Sequence, residues 1–312
     1  MEPRPEDYEF DLERAIASMV GITSTIPEDA MTADVLGTER SGNGVIIGDG
    51  LILTIGYLVT EAETIWLSLA DGSTVQGHVL GYDQESGFGL IQALARLQQP
   101  GLPLGDSDSV RIGESVVVCG HGGLQHSVAA SVVAKQEFAG YWEYVLDEAI
   151  FTSPAHPHWG GTAVVNQEGE LVGIGSLQVQ HAEVEGENVD LNMIVPINLL
   201  KPILQDLRTI GRRAQAARPW IGLYAADVGD NIVVAGIATG GPSDDVDLNV
   251  GDIIMAVEGE EVSDLATFFR KIWSLGPAGV EVPLHIHREG RAFEVAIESV
   301  DRRSLLKGPI VH

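Results

Sequence analysis

Short apolar runs, broken every few residues by glycine-bearing turns, constrain this chain more than any other feature. "GVIIGDGLILTIGYLV", from residue 44, reads as a hairpin about Gly48-Asp49-Gly50, and "TIWLSLADGSTVQGHVLGYD" as another about Asp71-Gly72. The same punctuation continues through "ESVVVCGHGG", "SVAASVVAK", "AVVNQEGELVGIGS" and "NMIVPI". Many short strands at this spacing make a mainly β chain, an all-β barrel or sandwich. The 37 glycines and 14 prolines supply the turns, and 312 residues are enough for two domains.

Helical spacing occurs in three places. Residues 8–22, "YEFDLERAIASMVGI", predict a short amphipathic helix with Leu12, Ile16, Met19 and Val20 on one side. "PINLLKPILQDLRTIGRRAQAA", from 196, predicts a helix carrying Leu199, Leu200, Ile203, Leu204 and Leu207. Beyond it the order is strand, strand, apolar connection, the strand "DIIMAVEG", the helix "DLATFFRKIWSLG" and two further strands. That succession is a small α+β domain.

Lys plus Arg number 18 against 45 Asp plus Glu, a net charge of −27. Nucleic acid and anionic membrane surfaces repel such a chain, so neither is expected as a partner. No apolar run reaches the ~18 residues of a membrane span. The acidic start "MEPRPEDYEFDLERA" lacks a basic stretch leading into an apolar core, so a cytoplasmic location is expected. Cys119 is the single cysteine and ends an apolar run, the setting of a buried strand residue. One thiol gives no disulfide framework and no thiolate metal site.

The segments "SGNGVIIGDGLILT", "LPLGDSDSVRIGESVVVCG", "VVNQEGELVGI", "VPINLLKPIL", "RPWIGLY" and "LNVGDIIMAVEGEEV" stand in an order and spacing that resemble the HtrA/Deg family. The resemblance runs from about residue 15 to 303. It implies a trypsin-like double β-barrel followed by a small α+β PDZ domain. The implied division is 1–30 N-terminal extension and helix, 31–210 protease-type domain, 211–217 linker, 218–303 PDZ domain and 304–312 tail.

Carried over residue by residue, the resemblance leaves the family's catalytic triad unfilled. In "LTIGYLV", Tyr57 stands at the histidine; in "DQESGFGLI", Asp83 keeps the first acid and Gly87 stands at the second. In "HPHWGGTAVVN", counting back from Asn166 puts Gly160 at the serine, whereas matching the paired glycines puts Trp159 there. A serine hydroxyl needs a hydrogen-bonded base, and that base needs an orienting carboxylate. A phenol with a pKa near 10 is no base at neutral pH. His158 replaces the glycine that lets the family's oxyanion-binding N–H groups converge. The expected function is therefore an HtrA-like homologue that is not an enzyme, a peptide- or protein-binding adaptor, scaffold or chaperone-like protein.

Two alternatives carry different chemistry. A serine-type endopeptidase with a rebuilt site would draw on Thr152, Ser153, Thr162 and Asp83. A metal-binding protein would draw on His121, His126, His156 and His158, whose imidazoles suit Zn²⁺, Cu²⁺ or Ni²⁺ but lack a standard ligand spacing. No cofactor is implied. His285 and His287 alternate on a predicted strand and read as surface residues.

The PDZ-like part implies capture of protein or peptide C-termini as an added strand, with backbone N–H groups holding the carboxylate. Its candidate residues are Trp220, Ile221, Gly222 and Leu223 in the loop, and Phe268 and Ile272 on the facing helix. Family members trimerise through N-terminal aromatic residues, for which Tyr8 and Phe10 are the counterparts, so a homo-oligomer is implied.

Overall fold

A computed structural model describes residues 2–184 and 187–308. The chain forms two units: the first holds 2–136 and 148–214, the second Glu137–Asp147 and Gln215–Lys307. The chain is mainly β, and the second unit draws an internal segment out of the chain of the first.

The first unit contains two closed antiparallel barrels. Strands β1 (Met19–Thr25), β2 (Glu39–Gly48), β3 (Leu51–Ile55), β4 (Thr64–Ser68), β5 (Thr74–Tyr82) and β6 (Phe88–Ala93) close in the order β1-β2-β3-β6-β5-β4. Strands β7 (Ser115–Cys119), β8 (Ser127–Gly140), β9 (Tyr144–Ser153), β10 (Ala163–Val165), β11 (Leu171–Val184) and β12 (Glu187–Pro196) close in the order β10-β11-β12-β9-β8-β7. Closure removes exposed strand edges. The glycine-bearing turns join β2 to β3 and β4 to β5, where the sequence predicts hairpins. The apolar runs are buried: Val20, Ile22 and Ile52 on one face of the first barrel's wall and Val45, Leu53 and Leu90 on the other, while Val116, Val118, Val132, Ile150, Val172 and Ile194 form one core in the second.

Two helix expectations are shortened. Of residues 8–22 only α1 (Leu12–Ile16) is helical, capped by the Asp11 carboxylate, which accepts from Arg14 N at 3.0 Å. From Met19 the chain enters β1, because the β-branched run Ile22-Thr23 pairs with both β2 and β4. A four-residue helix α2 (Ala33–Leu36) precedes β2. From 196, a 3₁₀ turn (Ile197–Leu199) precedes α3 (Leu204–Ile210), which ends at Gly211 in the left-handed region, φ 71°.

The second unit is a sheet of β13 (Leu223–Val228), β14 (Asn231–Ile237), β15 (Ile253–Val257), β17 (Glu281–Arg288) and β18 (Arg291–Glu298) in that spatial order, with β16 (Glu260–Glu261) paired to β15. Helix α4 (Leu265–Ser274) packs on it, capped by Asp264, which accepts from Thr267 N at 2.7 Å. Leu265, Phe268, Phe269 and Ile272 of α4 join Ile254, Val282, Leu284 and Ile286 in one core, which also takes in Val145 of the internal segment. His285 lies on the outer face of β17 and pairs with Glu294 at 2.6 Å.

Candidate functional site

In the first unit, Tyr57 follows β3 in the 3₁₀ turn Gly56–Leu58 and donates its hydroxyl to Ser176 O at 2.9 Å. Burial pushes the phenol further above its ordinary pKa, so it holds its proton throughout the neutral range. A Cβ built on Gly160 would lie 2.6 Å from the Tyr57 Oη. Gly160 is therefore the residue of the "HWGG" stretch whose side-chain position faces Tyr57, and the phenol occupies the space a residue-160 side chain would need. Gly87 has φ 82° and backs onto the same turn, its carbonyl accepting from Gly56 N at 2.6 Å. Asp83 is spent on structure: it takes Arg213 through two bonds, at 2.7 and 2.9 Å, and accepts from Ser86 N at 2.8 Å and Ser86 Oγ at 2.6 Å.

Asn43, which the sequence reasoning passed over, ties this region together. Its backbone N–H donates to Gly160 O at 2.8 Å, its Nδ2 to His158 O at 2.9 Å, and its Oδ1 accepts from His121 N at 2.8 Å. The fit is close: a Cβ on Gly161, φ 76°, would lie 1.8 Å from Asn43 O. A lone Asn between the glycines of "SGNGV" was the available signal.

The imidazole of His156 is locked in the same way. His158 N donates to His156 Nδ1 at 3.0 Å, so Nδ1 bears no proton, and Nε2–H donates to His126 O at 2.9 Å. Burial holds the His156 pKa below its usual value, favouring this neutral form. His158 avoids positive φ and turns its N–H into the His156 ring, away from any oxyanion. Both nitrogens of His156 are engaged, and among the described residues no group of three or more His, Cys, Asp or Glu is placed to hold a metal ion. Cys119 is buried, and burial pushes its thiol up to about 12.

Of the hydroxyls near this region, Thr162 Oγ1 donates to Trp159 O at 2.8 Å and Thr152 Oγ1 is buried without a hydrogen-bond partner. Ser153 is half-buried and lines a cleft of about 330 Å³ together with Asp7, Tyr8 and Ser131.

In the second unit, the predicted loop divides into core and site. The side chains of Ile221, Leu223, Phe268 and Ile272 are wholly buried in the core, and Trp220 nearly so. The backbone is what faces outward: Gly222 takes φ 72°, and the N–H groups of Ile221, Gly222 and Leu223 point at a single oxygen, Glu143 Oε1, at 3.2, 3.0 and 3.4 Å. Three successive N–H groups on one oxygen form a cradle for an anion.

The sequence matches the trypsin-like peptidase domain over residues 42–174 and the PDZ domain over 219–298. It is 30% identical over 298 residues to a probable periplasmic serine endoprotease DegP-like of Pseudomonas fulva (strain 12-X), covering 88% of this chain and 60% of that protein. To the periplasmic serine endoprotease DegP of Salmonella typhimurium it is 26% identical over 273 residues, covering 82% and 56%. The structure of an HtrA-type protease AlgW with decapeptide matches with a TM-score of 0.54 at 20% identity, covering 96% of this chain and 98% of that one. The chain belongs to the HtrA/Deg family. It spans a little over half the length of these curated relatives.

These relatives correct two expectations for this HtrA/Deg chain. The adaptor reading, and with it the reading as not an enzyme, is overturned: the relatives are named serine endoproteases across most of this chain. The occupants of 57, 87 and 160 describe one catalytic route and not the whole of peptide hydrolysis. The cytoplasmic placement is overturned as well, because the same relatives are named periplasmic. The expectation rests on the residues at the start of the sequence, which do not decide a compartment.

Proposed function

We propose that this HtrA/Deg chain is a periplasmic serine-type endopeptidase that recognises polypeptide through its PDZ domain. Its likeness to named serine endoproteases over 88% of its length carries this reading. Hydrolysis here runs on groups other than those at 57, 87 and 160. A protonated phenol cannot act as base and a glycine cannot attack. Of Thr152, Ser153 and Thr162, Ser153 is the one that lines a cleft, which makes it the nucleophile to test. The partner is a polypeptide with a free C-terminus, whose carboxylate matches the cradle of Ile221, Gly222 and Leu223.

Incubation of purified protein with unfolded casein and with a fluorophosphonate probe tests the catalytic half. Casein cleavage, with an adduct on Ser153 that Ser153→Ala abolishes, is the expected result. No cleavage and no adduct on any hydroxyl would overturn the endopeptidase reading.

Assembly belongs to the same proposal. Tyr8 and Phe10 meet edge to face at 5.5 Å and both are half-exposed, the disposition of an aromatic contact between copies. Light scattering should give a mass above 33.2 kDa that falls to that value in Tyr8→Ala/Phe10→Ala. A monomeric wild type removes this part.

A further inference from the structure

The carboxylate cradle of the second unit is filled by the chain itself. Glu143 lies in the segment Glu137–Asp147, some eighty residues earlier in sequence than the loop it enters. Its Oε1 takes all three N–H groups of Ile221, Gly222 and Leu223. Two residues back along the segment, Tyr141 O accepts from Ala225 N at 3.1 Å. Strand β13 is an edge of its sheet, so its outer N–H groups are open to an added strand.

The register matters. Moving back from 143 to 141 corresponds to moving forward from 223 to 225, which is the antiparallel order of a peptide laid along β13 with its carboxylate in the cradle. The chain does not end at Glu143, so the side chain supplies the carboxylate. The backbone turns away there through φ 60°, a conformation that costs a residue with a Cβ.

Other contacts hold the segment in place. Val145 is buried in the core of the second unit. The Tyr141 ring meets Tyr224 of β13 at 5.9 Å, and Trp142 stacks on Tyr144 at 5.5 Å. Arg270 of α4 takes Glu137 and Asp147, the two arms of the segment, each at 2.5 Å. Against these, Glu143 Oε2 is buried without a hydrogen-bond partner. That cost and the strained backbone make the contact reversible by an occupant with better hydrogen bonding.

We propose that Tyr141–Glu143 is an internal ligand of the peptide groove: the Glu143 side chain takes the place of a peptide's terminal carboxylate, and a polypeptide C-terminus binds only when this segment leaves. The second clause rests on the peptide recognition proposed above; the first does not.

Two readouts keep the ideas separate. Hydrogen exchange of the Ile221, Gly222, Leu223 and Ala225 amides reports occupancy without any peptide. Fluorescence polarisation with labelled peptides ending in Val, Leu or Phe, free or amidated at the C-terminus, reports recognition. Glu143→Ala should speed exchange at those amides and tighten binding of the free-carboxylate peptides, each by ~10-fold or more, since a groove open a tenth of the time weakens apparent affinity tenfold. Amidated peptides should gain nothing. Unchanged exchange in Glu143→Ala would overturn the internal ligand. So would equal peptide affinity in the two proteins, and peptide recognition would then stand. Faster exchange with no peptide bound by either protein would leave the internal contact standing and remove the recognition. Should Glu143→Ala not fold, Glu143→Leu, which keeps the bulk but offers no accepting oxygen, must show the same directions of change.

Discussion

Tyr57 and Gly160 occupy one space between them. With a Cβ on residue 160 falling 2.6 Å from the Tyr57 Oη, Gly160→Ser forces the phenol off Ser176 O. Overpacking of this kind costs about 1–3 kcal/mol. Urea unfolding should show that loss in Gly160→Ser, and most of it should vanish when Tyr57→Ala is added, a coupling of about 0.5 kcal/mol or more. Additive losses would mean the two positions do not share the space. Much of this region was legible beforehand: "LTIGYLV" and "DQESGFGLI" located Tyr57, Asp83 and Gly87 by their flanks. The choice between Gly160 and Trp159 was not, because both lie in one short glycine turn. It took the direction of a missing Cβ to show which residue faces Tyr57. The roles of Asp83 and His156 were hidden for a related reason. Arg213 lies 130 residues from Asp83, and His126 lies 30 from His156.

Among elements, strands were more legible than helices. The alternation and turn glycines that mark β2 to β6 act locally, and the barrels follow from them. The helix expected over 8–22 gave way at Met19 because pairing on two sides outweighs one amphipathic face. Least legible was the segment Glu137–Asp147. Nothing local in "EFAGYWEYVLD" says that its glutamate enters a loop beyond residue 220. Its titration gives a prediction at this scale. Burial raises the Glu143 carboxyl from 4.5 to about 8; the three N–H groups and Arg302 oppose the rise, and Tyr224 lies near. A group whose pKa is higher in the docked state than when released favours docking most fully below about pH 4.5. That contribution is lost as pH rises through about 8. Trp142 emission, taken as the difference from Trp142→Phe, should therefore report progressive release between pH 5 and 9. In Glu143→Gln the profile should be flat. A flat wild-type profile would mean that Glu143 does not titrate with docking.

For the whole molecule, the net charge of −27 decides which polypeptides arrive fastest. Exposed carboxylates such as Asp244, Asp245, Glu258 and Glu261 lie on the unit that carries the carboxylate cradle. A peptide brings a terminal carboxylate that this field repels, so the rest of the peptide must offset the repulsion. Basic residues upstream of the C-terminus do so, and acidic ones add to it. The Debye length is ~8 Å at physiological salt and ~3 Å at 1 M, so the effect belongs to encounter and fades as salt is added. Stopped-flow binding to Glu143→Ala, in which the cradle is open, isolates that encounter. An Arg-rich peptide with a free apolar C-terminus should associate ~10-fold or more slowly as salt rises from low to high, whereas a Glu-rich peptide with the same last residues should associate faster. Dissociation rates should move far less in both cases, because the terminal carboxylate and its three N–H partners are the same. Opposite salt slopes for the two peptides are the signature of a field set by the whole surface. Equal slopes would place the charge that matters on the groove alone.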